Sequence, residues 1–436
     1  MGAEGIKIAD MARIFEKENP DIKVITQSVP WSAAHEKLIT AIAGNNTPDI
    51  CQLGTTWVPE FVSINALSEL DDFLENPTTI KSGDFFSSAW KASIINDKTY
   101  GIPWYVDTRV LFYRKDLLEE AGYRNPPRTW EELEDVSKKL TKDINGDGVI
   151  DRYAINLPAR EWGILSMFIW QNGGDILDPS YKKAVINSPE NEVAVDFYLS
   201  FSRKKYAPLE TAGGIDVFNA FKTGYFAMFV SGPWMVEEVQ KQIPELEGKW
   251  AVATLPGKVT NASFVGGSNL VIFKNSNNKI LAWKFIEFMS RPDIQALWYE
   301  KTQDLPSLKA AWELPALKSN KKIAVFGQQL KSTVTPPPIP QWEHIGDIIS
   351  KNMESVVYKK IDTKTFLKSC EEEIREVIEY KRPNQTTVFK ISILGILILM
   401  ILAAFFAYMK FGPKDQFLQK EVMTFGDFVR WVAIFP

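Results

Sequence analysis

The spacing of apolar positions changes several times along the first eighty residues. Ile6, Ile8, Met11, Ile14 and Phe15 recur at helical intervals, so a helix is expected after the opening glycines. Asn19-Pro20 should end it. IKVITQSV then reads as a strand. A helix is expected from about Ser32 to Ala43, with Ser32 as its cap and Glu36 in its first turns. TPDICQLG reads as a turn and a buried strand, and WVPEFVSINALSELDDFL as helix and loop. Helix and strand alternating in this way is the α/β signature. The strand expected ahead of the first helix is missing, and Met1 falls inside what should be the loop after it. With no export signal present either, the start is expected to be late.

At the other end, residues 391–409 read ISILGILILMILAAFFAYM without a charge. At about 1.5 Å per residue these reach roughly 28 Å, close to the hydrocarbon thickness of a bilayer. A core helix of this length would show a polar face, and here only Ser392 and Gly395 interrupt the apolar run. A C-terminal transmembrane helix is therefore expected. Arg382 and Lys390 before it balance Lys410 and Lys414 after it, so flanking charge does not set its orientation. The 410–436 segment is either a short tail or the start of a fused permease that has been cut off, the latter slightly preferred.

Composition removes several function classes. The 436 residues suffice for two or three domains, and a net charge of −4 argues against a nucleic-acid partner. His35 and His344 are the only histidines, which leaves little material for zinc sites or histidine-based catalysis. Cys51 and Cys370 are far apart with no CxxC spacing, and they do not fix the redox compartment. No GxxxxGKS/T loop occurs, so the chain is not an ATPase component, and GxSxG is absent too. Fourteen tryptophans are more than core packing ordinarily takes.

Seven pieces then occur in one order: FEKENPDIKV, TPDICQLG, YGIPWYVDTRVLFYRKDLLEEAG, PPRTWEEL, FKTGYFAMFVSGPWM, FVGGSNLVIF and AWKFIEFMSRPDIQALWYEKTQDLPS. Together, over about residues 1–380, they resemble the family 1 extracellular solute-binding proteins of ABC importers, the maltose-binding-protein-like group. The resemblance implies an α/β, two-lobed periplasmic-binding-protein-like fold with hinged lobes, followed here by the C-terminal transmembrane helix. Carried over, the chain crosses between lobes near Asp107–Leu111, Phe264–Ser268 and Ser319–Ile323. The first lobe would comprise 1–109 and 267–320, the second 110–266 and 321–380. A ligand would sit in the cleft, and the lobes would close on it.

Residue chemistry supports this in part. Ligands of open α/β sheets bind at the carboxyl ends of strands, and the loops expected there are aromatic and polar. SVPW ends at Trp31, GTTW at Trp57, IPWYVDT offers Trp104, Tyr105 and Asp107, VSGPW offers Trp234, and FVGGSN offers Gly267, Ser268 and Asn269. Sugars present an apolar face of C–H groups and a rim of hydroxyls. They need flat aromatic platforms beside a few polar partners. Trp234 also matches the family's GPW position, and Trp162 and Trp342 fall where the resemblance implies cleft aromatics. The plainer reading stands beside each: tryptophan is usually a packing residue, Asp107 a loop carboxylate near the hinge, and Gly267-Ser268 a tight turn.

DINGDGVID places oxygens at Asp143, Asn145, Asp147 and Asp151, the opening of an EF-hand-type calcium loop. Ala154 stands where the bidentate glutamate should be, so calcium would bind weakly or not at all. The alternative is an Asx-rich turn between the helix WEELEDVSKKL and the strand RYAINL.

The expectation is thus a substrate-binding component of an ABC importer on the extracytoplasmic side of the cell membrane. Its partners would be a carbohydrate ligand, a di- or oligosaccharide, the permease subunits, and the membrane through the C-terminal helix. A membrane-anchored carbohydrate-active enzyme is the main alternative. It would need two carboxylates across a glycosidic bond, and no motif selects a pair. A sugar phosphate or polyol is the alternative ligand, with Arg109 as the nearest phosphate partner. A signalling ectodomain would need a larger output domain than the 410–436 tail.

Overall fold

The first helix, Glu4–Glu18, forms where its apolar residues share a face. Met11 and Phe15 are fully buried, and Phe15 meets the rings of Phe285 and Phe288 at 5.1 and 5.4 Å. Asn19 stops the helix by donating from both its backbone and side-chain amides to the Phe15 carbonyl. The next helix, Trp31–Ala43, starts one residue before its expected cap. Pro30 precedes it without any side-chain cap, and Ser32 lies inside the first turn. Between the two helices, residues 22–30 form no strand. The segment alternates in burial, with Ile25 92% exposed, but it pairs with no strand among the described residues. Alternation supplies an extended backbone; a strand also needs a hydrogen-bonded neighbour.

The computed structural model describes residues 4–75, 79–158, 160–209, 215–358 and 360–379. The chain divides into two compact units, Met1–Ile378 and Glu379–Pro436, and the second lies outside the described residues except for Glu379. Among the described residues no helix is long and apolar enough to cross a membrane. The helix expected at 391–409 lies outside them.

Within the first unit, two four-stranded sheets carry the fold. One has the order Ile50–Gly54, Gly266–Ile272, Ile102–Asp107, Leu305–Pro306, each neighbour antiparallel. The other has the order Tyr153–Asn156, Phe226–Ser231, Val110–Arg114, Trp250–Ala253, in which only the first pair is parallel. Each sheet packs aromatic residues against its helices. Trp104 lies on Trp298 with ring centroids 4.5 Å apart, and Phe112, stacked on its cross-strand partner Phe229 at 4.8 Å, meets Phe326 of the helix Lys321–Gln329 at 6.4 Å. Burying a side chain of this size stabilises the fold by roughly 1.5–3 kcal/mol.

Two residues, Thr108 and Arg109, separate the last residue of Ile102–Asp107 from the first of Val110–Arg114, so the chain passes there from one sheet to the other. It returns between Ser263–Phe264 and Gly266–Ile272. A third short strand, Thr333–Val334, runs parallel to Ser263–Phe264. Where a third crossing is expected, at 319–323, residues 319 and 320 join the helices Pro315–Lys318 and Lys321–Gln329, and 321–323 form the first turn of the second. Val106, Val110 and Val265 are fully buried in one apolar cluster beneath the crossings.

Candidate functional site

Buried hydroxyls fasten the two crossings to each other. Thr108 Oγ1 donates to Ser263 Oγ at 3.0 Å, the Arg109 amide donates to the same oxygen at 3.1 Å, and Ser263 Oγ donates to the Arg109 carbonyl. Such bonds are strong where water is absent, because the alternative is an unpaired polar group. Over these crossings opens a cavity of about 800 Å³. Residues that follow strands of both sheets line it.

From the first sheet come Trp57, which closes the turn Thr55–Trp57 after Ile50–Gly54, and Trp31, the first residue of its helix. Their rings meet at 5.3 Å and 72°. His35 supports Trp57 from behind at 5.0 Å, and its Nε2 lies 2.8 Å from a Glu60 carboxylate oxygen. From the second sheet come Trp234, which opens the helix Trp234–Gln242 after Phe226–Ser231, and Trp162, which opens Trp162–Gln171 after Tyr153–Asn156. Trp234 is 43% exposed, unusual for so large an apolar side chain. Gly232 lies so close under this indole that a Cβ there would come within 2.2 Å of the ring. Gly346 is packed similarly beneath Trp162.

The polar floor comes from the strands themselves. Asp107, Gly267 and Ser268 line the cavity as expected, together with Tyr105. Gln52 Nε2 donates to the Tyr105 hydroxyl at 2.9 Å and to Ser268 Oγ at 3.2 Å. Gly267 holds φ at +118°, and a Cβ there would approach the Tyr105 carbonyl to 2.2 Å; only glycine fits. Asp107 lies over Gly266 and accepts from Arg109 Nη1 at 2.6 Å.

Two expected cleft residues are placed elsewhere. Trp104 is 3% exposed and lies on Trp298 in the core. Strand alternation explains this: Ile102, Trp104 and Val106 share the buried face, whereas Tyr105 and Asp107 share the face toward the cavity. Trp342 is 1% exposed and meets Trp162 edge-on at 5.5 Å. It belongs to the buried stripe Trp342, Ile345, Ile349, Met353 of its helix, and Glu343, one position on, lines the cavity instead. Tyr105, offered by the same stretch as Trp104, lines the cavity, whereas Asn269 is buried and accepts from Ser93 Oγ at 2.7 Å; sequence reasoning missed Glu343, although it follows from the helical period. It also missed Phe264, for which no local signal exists.

Among the described residues carboxylates dominate the charge of the lining: Asp107, Glu161, Glu237, Glu238, Asp304 and Glu343 stand against the single cation Arg109. None of the candidate calcium ligands lines the cavity. Asp143, Asn145, Asp147 and Asp151 sit on one loop whose oxygens accept from its own amides: Asp143 from Gly146 and Gly148 at 2.7 Å each, Asn145 from Asp147, Asp147 from Val149, and Asp151 from Ile144. Ala154, at the position of the missing glutamate, is buried inside the strand. Among the described residues no group of three His, Cys, Asp or Glu side chains could hold a metal ion. The loop joins the helix Trp130–Leu140 to the strand Tyr153–Asn156. Cys51 and Cys370 are both free, and burial pushes the Cys51 thiol up to about 12.

Residues 4–296 match the family described as Bacterial extracellular solute-binding protein. The structure is similar to that of the sugar-binding protein MalE from Xanthomonas citri, with a TM-score of 0.82 and 36% identity over 87% of this chain and 95% of that one. The diacetylchitobiose binding protein DasA of Streptomyces coelicolor is 25% identical over 77% of each chain. A maltooligosaccharide ABC transporter solute-binding lipoprotein of Streptococcus pneumoniae is 26% identical over 87% of this chain and 88% of that one. With its two sheets, its paired crossings and the cavity above them, the chain belongs to the bacterial extracellular solute-binding protein family.

Proposed function

We propose that this protein binds an uncharged di- or oligosaccharide in the cavity above the crossings and delivers it to the permease of an ABC importer. One observation carries this reading: Trp31 and Trp57 from one sheet, and Trp162 and Trp234 from the other, converge on a single cavity with a polar floor. Indole faces suit the C–H faces of sugar rings, and Ser268, Tyr105 and Asp107 suit their hydroxyls. About 800 Å³ lies toward the upper end of the usual range for small-molecule sites, which favours more than one sugar ring. The names of the relatives, binders of diacetylchitobiose and of maltooligosaccharides, support the same class. The chain is a binding protein and not an enzyme.

In this reading the lobes are 1–109 with 267–320 and 110–266 with 321–380, a division supported by the membership of the two sheets. The lobes close about Thr108–Arg109 and Phe264–Gly266. The lobes act on the extracytoplasmic side, and the apolar stretch 391–409 holds them at the membrane. A tether raises the effective concentration of the binder beside its permease.

Thermal unfolding of the full chain with malto- and chito-oligosaccharides tests the reading, with a reducing-end assay on the same samples. A ligand held only by the folded state raises Tm, so the expected outcome is a concentration-dependent rise with no new reducing ends. New reducing ends accumulating with time would overturn it.

A further inference from the structure

Among the described residues Arg109 is the one cation lining the cavity, and its surroundings decide what it can do there. Its guanidinium carbon lies over the Trp234 ring and over the Phe264 ring, 4.6 Å from each centroid. Its Nη1 donates to Asp107 at 2.6 Å, and its side chain is only 22% exposed. Its backbone is fastened through Ser263 to the second crossing. The guanidinium therefore joins four things: the end of the Ile102–Asp107 strand, both crossings, and the indole that opens the Trp234–Gln242 helix.

We infer that Arg109 is a positioning residue that clamps the Trp234 indole as a platform, and that the cleft consequently discriminates against anionic saccharides. The first half follows from planarity. A guanidinium stacks on aromatic faces, as an ammonium does not. Held between Arg109 and the backbone at Gly232, the indole still exposes 43% of its surface, and that part remains for a ligand. The second half follows from charge. Asp107 already neutralises the single cation, and six carboxylates line the cavity in all. Glu237 also occupies the first turn of the helix that Trp234 opens, so its positive end is already complemented. A phosphate or uronate entering the cleft would meet a negative field without a free cation. This inference rests on the saccharide reading for its ligand and deepens it by naming the charge class.

The test compares Arg109→Lys and Arg109→Met in the full chain. Lysine keeps the charge and can keep the Asp107 pair, but it cannot stack as a plane. Fluorotryptophan labelling gives a ligand-free readout, with the Trp234 resonance assigned by Trp234→Phe. The clamp predicts that both variants move this resonance. It also predicts that both weaken binding of maltotriose or chitotriose by about tenfold, and that wild type does not bind glucose 6-phosphate or trigalacturonate. An unmoved Trp234 resonance in both variants overturns the clamp. Binding of the anionic probes that Arg109→Lys retains and Arg109→Met loses overturns the charge class, since Arg109 would then be an anion ligand. If neither neutral nor anionic sugars bind wild type, the saccharide reading fails, while the fluorine resonance still decides the clamp.

Discussion

Trp104 and Tyr105 are adjacent in the chain and point opposite ways, one into the core against Trp298 and one toward the cavity. Trp104→Ala would empty a buried site and should cost about 3–5 kcal/mol in denaturant unfolding, with any loss of affinity following from loss of fold. Trp234→Ala should do the reverse. Nearly half of that ring is exposed, so its loss should cost well under the Trp104 variant in stability while weakening saccharide binding about 10- to 100-fold. Parallel melting curves and titrations of the two variants check this. At this scale much was legible in the sequence: Trp57, Trp162 and Trp234 line the cavity from turns and helix starts that follow strands, Trp31 from the start of its helix, and Asp107, Gly267 and Ser268 from strand residues beside the crossings. Trp104 and Trp342 failed because proximity along the chain was weighed without asking which face of the element each occupies. Phe264 and the stacking of Arg109 depend on contacts between residues about 125–155 apart, which no local pattern contains.

Elements show how loops become rigid enough to hold such residues. At the second crossing, Gly266 sits so close to Asp107 that an added Cβ would come 2.7 Å from its Oδ1. Gly266→Ala should displace Asp107, disturb the Arg109 pair and lower affinity at least tenfold, read by titration beside a circular-dichroism check of fold. The Asp143–Asp151 loop makes a contrasting case. Because its oxygens already accept from its own amides, millimolar calcium or a chelator should leave Tm unchanged; a calcium-dependent rise of several degrees would contradict this. At the stem of that loop Lys142 and then Arg152 hold Glu120 below the ordinary carboxylate value of 4.5. A folded pKa below the unfolded one stabilises fully above the unfolded value, and that contribution fades as pH falls through the folded value. The stability difference between wild type and Glu120→Gln should therefore be constant at neutral pH and shrink only below about pH 4.5. Helix and strand types were largely readable from period and punctuation. The exception, residues 22–30, shows the limit: period specifies an extended chain, whereas a strand depends on a neighbour that the local sequence does not contain.

For the molecule as a whole, the paired crossings and the cavity above them make hinge closure the natural response to a ligand that touches both sheets. Each half of the site is incomplete alone, since Trp31 and Trp57 belong with one sheet and Trp162 and Trp234 with the other. A saccharide bridging them favours the closed arrangement by its differential contacts, so saturation should lower the radius of gyration in solution scattering. At a ligand concentration about 100 times Kd the folded state should gain roughly 2.7 kcal/mol. The most direct test of the cavity as a saccharide site is calorimetric titration of the full chain with malto- and chito-oligosaccharides beside Trp57→Ala and Trp234→Ala. The account predicts one saturable site per chain, sugar recovered unchanged, and at least tenfold weaker binding in each variant. No saturable heat from any of these sugars, or equal Kd values in wild type and both variants, would contradict it.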